Sequence, residues 1–67
     1  MIEVAVNGEV MQVPQSSSLQ DLVDRLQLTG KRIAVEVNLE IVPRSQHSDH
    51  LLQAGDRVEI VHAIGGG

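Results

Sequence analysis

The 67-residue chain has no cysteine, and it has no phenylalanine, tyrosine or tryptophan. Without thiols there is no disulfide framework, no thiolate nucleophile and no cysteine-based zinc site, a composition that suits a reducing compartment. Without aromatic rings the chain lacks the stacking platforms on which single-stranded nucleic acid is usually held. Its formal net charge of −4 also opposes a phosphate backbone. Nucleic acid is therefore not an expected partner, and a basic protein surface suits the charge better. Long apolar runs are missing too. Nothing approaches the roughly 20 residues of a membrane-spanning helix, and Met1-Ile2-Glu3-Val4 lacks the basic start and unbroken apolar stretch of a secretory signal. The expectation is a soluble cytoplasmic domain with no membrane association, monomeric when free.

What is present is aliphatic. Five isoleucines, ten valines and seven leucines suffice for one small core, in a chain so short that folding hides only about 60% of its unfolded surface. Ile2, Val4 and Val6 alternate with Glu3, Ala5 and Asn7, the period of a half-buried strand. Asn7-Gly8, both tolerant of positive φ, predicts a hairpin turn. The return strand covers Glu9 to Val13 with Met11 and Val13 inward, and Pro14 stops it by removing a donor. After a polar loop, Ser18 is the expected N-cap of a helix, with Asp21 completing a capping box. Leu19, Leu22, Val23 and Leu26 then form one apolar stripe, and Thr29-Gly30 is the expected stop of a helix about ten residues long. So short a helix is stable only when laid on a sheet.

Ile33, Val35 and Val37 mark one side of a strand over Arg32 to Val37. Asn38-Leu39-Glu40 reads as a turn and Ile41-Val42 as a short strand closed by Pro43. Arg44 to His50 is polar and irregular, Leu51-Leu52 returns to the core, and Ala54-Gly55-Asp56 turns the chain. The last strand is expected over Arg57 to Ile64, with Val58, Ile60 and Ile64 on one face and Val61 and Ala63 on the other. A hairpin, a crossover helix and further strands, in the order ββαββ, favour parallel pairing of the first and last strands in mid-sheet. The fold class is α+β, a ubiquitin-like β-grasp with a mixed sheet and one main helix on one face. It forms a single domain over residues 1–67.

That arrangement sends the chain from a central strand into Gly65-Gly66-Gly67. Glycine gains nothing from core packing and loses the most backbone entropy on ordering. Residues 65–67 are thus expected to be a thin flexible tail on a folded body of residues 1–64. Extended, the tail reaches roughly 10 Å and ends in the α-carboxylate of Gly67, an unhindered acyl group able to enter another protein's narrow active site. A frayed end is the bland alternative, and glycines alone do not decide between them.

The rest of the chain supplies a further indication. Val37-Asn38, Ile41-Val42-Pro43-Arg44 and the segment from Gly55 through Ile64 to Gly65-Gly66-Gly67 together resemble the ThiS family of sulfur carriers in thiamin biosynthesis, over the whole length. The minimal family ending is a glycine pair, whereas this chain has three. The resemblance implies a carrier acting as co-substrate of partner enzymes, not an enzyme, with no cofactor of its own. A ThiF-like adenylyltransferase would spend ATP, with magnesium, to adenylate the Gly67 carboxylate. Sulfur from a cysteine desulfurase would convert it to a thiocarboxylate, and thiazole synthase, ThiG, would take that sulfur. The alternatives are a MoaD-type carrier for molybdopterin synthesis, a ubiquitin-like modifier of protein lysines, and an interaction domain with inert glycines.

Other constellations are weaker. His47 and His50, flanked by Asp49, have helical metal-ligand spacing, yet the loop composition favours polar surface histidines and no metal site. His62 is either a partly buried edge residue or a partner contact. Val61 and Ala63, with Ala5 on the adjoining strand, are expected to form an apolar docking patch leading into Ile64 and the tail. Arg44 joins them as a candidate contact. Asp24, Glu36, Glu40 and Glu59 are scattered, with nothing placing two together for acid–base work. They are expected to act as a general field that steers a basic partner.

Overall fold

The computed structural model describes residues 1–62, so the expectations that concern Ala63, Ile64, Gly65, Gly66 and Gly67 lie outside the described residues. Strands β1 (Ile2–Val6) and β2 (Glu9–Val13) form the opening hairpin, followed by helix α1 (Leu19–Arg25). Strands β3 (Ile33–Val37) and β4 (Glu40–Ile41), a 3-10 turn at Arg44–Gln46 and strand β5 (Arg57–His62) complete the order. The sheet runs β2-β1-β5-β3-β4, with β1 and β5 parallel and the remaining pairs antiparallel. This is the expected mixed sheet, with its last strand in the middle.

Both two-residue turns follow from left-handed backbone. Asn7 and Gly8 have φ of 50° and 86°, and Asn38 and Leu39 have φ of 52° and 71°. Two successive positive φ values match the right-handed twist of a tight hairpin. The first turn fixes the register Ile2↔Val13 through Val6↔Glu9, which sends Val4, Val6 and Val13 to the helix side. Met11 is half-buried against the same core.

Helix α1 begins as its sequence indicates. The Ser18 hydroxyl accepts from the Asp21 amide at 3.0 Å, and the Asp21 carboxylate accepts from the Ser18 amide at 2.9 Å. The remaining first-turn donors are met by the later loop, for Leu19 N–H donates to the His50 carbonyl and Gln20 N–H to the His47 carbonyl. The helix ends earlier than Thr29-Gly30. Gln27 turns left-handed at φ 61°, its N–H donates to the Asp24 carbonyl, and Leu28 N–H donates to the Val23 carbonyl. These two bonds are a Schellman closure with glutamine where glycine is usual.

Leu19, Leu22 and Val23 pack on Val4, Val6, Val13, Val35, Val37, Val42, Leu52, Val58 and Ile60 to make one aliphatic core. Each fully buried side chain of this kind contributes about 1.5–3 kcal/mol. Two expectations about the crossing segment are corrected. Only Leu52 enters the core, whereas Leu51 is exposed, because this stretch is extended and bridges Ser18, so neighbouring side chains point to opposite sides. His47 is not a surface histidine. It is 3% exposed, and its Nε2 lies 3.0 Å from the Val42 carbonyl, an acceptor that requires the ring nitrogen to donate.

Candidate functional site

The site is the root of the C-terminal segment, and it is built by what holds β5. Upstream, Asp56 sets where the strand starts. Its carboxylate accepts from the Gln53 amide at 2.8 Å and from Asn38 Nδ2 at 3.0 Å, while Asn38 Oδ1 accepts from the Arg57 amide at 3.0 Å. The Asp56 carbonyl accepts from Ala5 N–H at 2.9 Å. A buried aspartate thereby ties the turn to two neighbouring strands, and every lone pair so used favours order at the start of β5.

Along its length β5 is held on both edges. Five consecutive rungs pair it with β3, from Val37↔Val58 to Ile33↔His62. On the other edge β1 reaches only Val6↔Val58 before it turns. Asn7 extends the grip beyond that point. Its Oδ1 accepts from the Ile60 amide at 2.8 Å and its Nδ2 donates to the Ile60 carbonyl at 3.1 Å. An amide side chain, with one acceptor and one donor arm, here substitutes for a strand residue. Sequence reasoning saw Asn7 only as a turn former, and nothing in its local spacing reveals the second role.

Val61 and His62 lie on opposite faces of this root. Val61 is 59% exposed and stands opposite Ala34 on the face away from the helix. His62 is exposed on the helix side, at the rim of a groove of about 420 Å³ lined by Met11, Leu26, Leu28 and Ile60. Ala5 is on the adjoining strand, but it pairs with Arg57. That places it four residues, or about 13 Å, upstream of Val61. The apolar neighbour of Val61 is therefore Ala34, not Ala5. Arg44 is exposed, and its guanidinium donates to the Lys31 carbonyl at 2.6 Å, two residues before the Ile33 that pairs with His62. Ala63, Ile64, Gly65, Gly66 and Gly67 lie outside the described residues.

β5 is thus held on its β1-facing edge through Ile60 and on its β3 edge through His62. Among the described residues no group of three histidine, cysteine, aspartate or glutamate side chains is placed to hold a metal ion. No helix among them is long and apolar enough to cross a membrane.

Comparison with known proteins decides which fold relatives matter. The ThiS family model matches residues 2–67. The chain belongs to the ThiS family. Its ThiS relatives include the sulfur carrier protein ThiS of Escherichia coli, 29% identical with 98% of this chain and 100% of that protein covered. The sulfur carrier protein ThiS of Bacillus subtilis is 36% identical, with 92% and 96% covered. A thiazole synthase of Paramagnetospirillum magneticum is 38% identical over 98% of this chain, which spans only 20% of that protein's length. The crystal structure of the thiamine biosynthesis protein ThiS from Geobacter metallireducens superposes with a TM-score of 0.85 at 28% identity, covering 98% of this chain and 100% of that one. The ThiS fold, a ubiquitin-like mixed sheet with one helix, is thus the fold of this chain, and ThiS membership places it among the sulfur carriers of thiamin biosynthesis.

Proposed function

We propose that this chain carries sulfur as a thiocarboxylate on the α-carboxyl of Gly67 and delivers it for assembly of the thiazole ring of thiamin. A free carboxylate, with a pKa of about 3.3–3.7, is ionised at neutral pH and is a poor electrophile. Activation needs a leaving group. A ThiF-like adenylyltransferase supplies it: a carboxylate oxygen attacks the α-phosphorus of magnesium-bound ATP, pyrophosphate departs, and an acyl adenylate forms. The outer sulfur of a cysteine desulfurase persulfide then attacks the acyl carbon, AMP leaves with the bonding pair, and a thiol reduces the resulting acyl disulfide, leaving the thiocarboxylate on Gly67. Thiazole synthase, ThiG, accepts the sulfur, an oxygen from its substrate or from water takes the place of the sulfur on the acyl carbon, and the carboxylate is regenerated for another round. The chain is a co-substrate in the cytoplasm and performs no step itself.

The observation that carries this reading is the grip on β5, two-sided through Ile60 and continued on the β3 edge through His62, directly ahead of Ala63-Ile64-Gly65-Gly66-Gly67. The partner assignment to thiazole synthase is supported by the thiazole synthases of Paramagnetospirillum magneticum and Magnetococcus marinus, each with a segment similar to this chain over 98% of its length. Val61, His62, Ala63, Ile64 and Arg44 are the contacts a partner meets on the way to the acyl group. In a strain lacking its own carrier, the full chain should restore growth without added thiazole, and a chain lacking Gly66 and Gly67 should not. Restoration by the shortened chain would contradict the assignment.

A further inference from the structure

The groove of about 420 Å³ lies on the helix side of the sheet, beside the last described residue. The left-handed turn at Gln27 sends Leu26 and Leu28, one on either side of it, against the core, and Met11 reaches the same groove from the edge strand β2. All three side chains are half-buried. Ile60 lines the groove from β5, where the Asn7 side chain holds its backbone, and His62 stands at the rim. In so short a chain, apolar side chains left partly wet side by side form a surface that one more aliphatic group would cover favourably. Five residues follow His62, and Ile64 is the one among them with a side chain larger than methyl. Strand side chains alternate between faces, so the sequence period that sets Ile60 and His62 on the groove side assigns position 64 to it next, roughly 7 Å farther along the chain.

We propose that the groove is the seat of this chain's own Ile64, an autoinhibitory contact that draws the C-terminal glycines toward the body until an enzyme withdraws them. The seat stands independently of the function proposed above, whereas its effect on loading rests on that function. Tied two residues from the rim, Ile64 competes at an effective concentration on the order of millimolar, which an apolar side chain of a separate protein has to match. The consequence is a change of reach. Counted from His62, five extended residues span roughly 17 Å, whereas three glycines counted from a seated Ile64 span roughly 10 Å. A deep, narrow active site therefore meets a shortened tail until Ile64 leaves the groove.

NMR of the full chain, labelled at the methyl groups of isoleucine, leucine and methionine, tests the seat without any partner. Nuclear Overhauser contacts should join the Ile64 methyls to those of Leu28 or Met11 and should persist on dilution. Ile64→Ser, a change outside the described body, should shift the Leu26 and Leu28 methyl signals. Leu28→Gln and Met11→Gln, made separately, should each raise kcat/KM for ATP-dependent adenylation of the C-terminus by the host's adenylyltransferase, by about threefold or more as the competent population grows. A parent without the Ile64 contacts would overturn the seat and leave the carrier function standing. Contacts found only between differently labelled copies would assign the groove to a second copy and overturn it too. Intact contacts in the parent, with adenylation no faster in either folded groove variant, would overturn the autoinhibition. A parent that is never adenylated would bring down the proposed function and the autoinhibition with it, while the Ile64 contacts still decide the seat.

Discussion

Replacing Asn7 by glycine isolates the device that holds β5 beyond the reach of β1. Glycine accepts the φ of 50° found at Asn7, so the turn is preserved and only the side-chain clasp is lost. Two hydrogen bonds disappear, of 2.8 and 3.1 Å, both to the Ile60 backbone. At about 1 kcal/mol net for each, the expected loss is about 2 kcal/mol. Ile60 itself is 7% exposed and its side chain remains in the core, so the loss should fall on the strand's β1-facing edge. Urea unfolding measures the total. Amide hydrogen exchange locates it, because about 2 kcal/mol corresponds to exchange faster by about thirtyfold at the Ile60 amide. The Val35 amide, on the neighbouring strand, serves as the internal comparison. A variant within about 0.5 kcal/mol of the parent, the range of an ordinary surface substitution, with the Ile60 amide still protected, would refute the clasp.

Gln27→Gly should stabilise the chain by roughly 1 kcal/mol, since a non-glycine residue at φ 61° bears a steric cost that glycine avoids; an unchanged or lower urea midpoint would contradict this. The hydroxyl of Thr29, and secondarily the amide of Gln20, hydrogen-bonds Asp24 and holds its carboxyl below the ordinary value of 3.8. A depressed folded-state value contributes stability that is present above the ordinary value and lost as pH falls through the lower one. Thr29→Val should therefore raise the Asp24 titration midpoint observed by NMR and lessen the acid dependence of unfolding; an unmoved midpoint would show that the threonine bond is not the cause.

Local chemistry made much of the fold legible. Asn7-Gly8 fixed the hairpin, Ser18 with Asp21 fixed the helix start, and the alternation in β3 and β5 identified the buried residues. The helix end was hidden because glutamine at its closing position carries no compositional signal, whereas Thr29-Gly30 downstream does. His47 looked solvated in a polar segment, and only the three-dimensional path places its ring at the Val42 carbonyl. At the candidate site the order of strands was readable, but the register between distant strands was not. That register separates Ala5 from Val61, puts Ala34 beside Val61, and turns Glu36 and Glu59 from scattered carboxylates into an opposed pair.

Loading of Gly67 with sulfur by other proteins is the step on which the proposed function rests. Its most direct test is mass spectrometry of the C-terminal peptide after the intact chain is incubated with magnesium-ATP, the host's adenylyltransferase, its cysteine desulfurase and cysteine. One sulfur in place of one oxygen on Gly67, dependent on ATP, is the expected result. An unchanged peptide, or sulfur bound at any other residue, would contradict it.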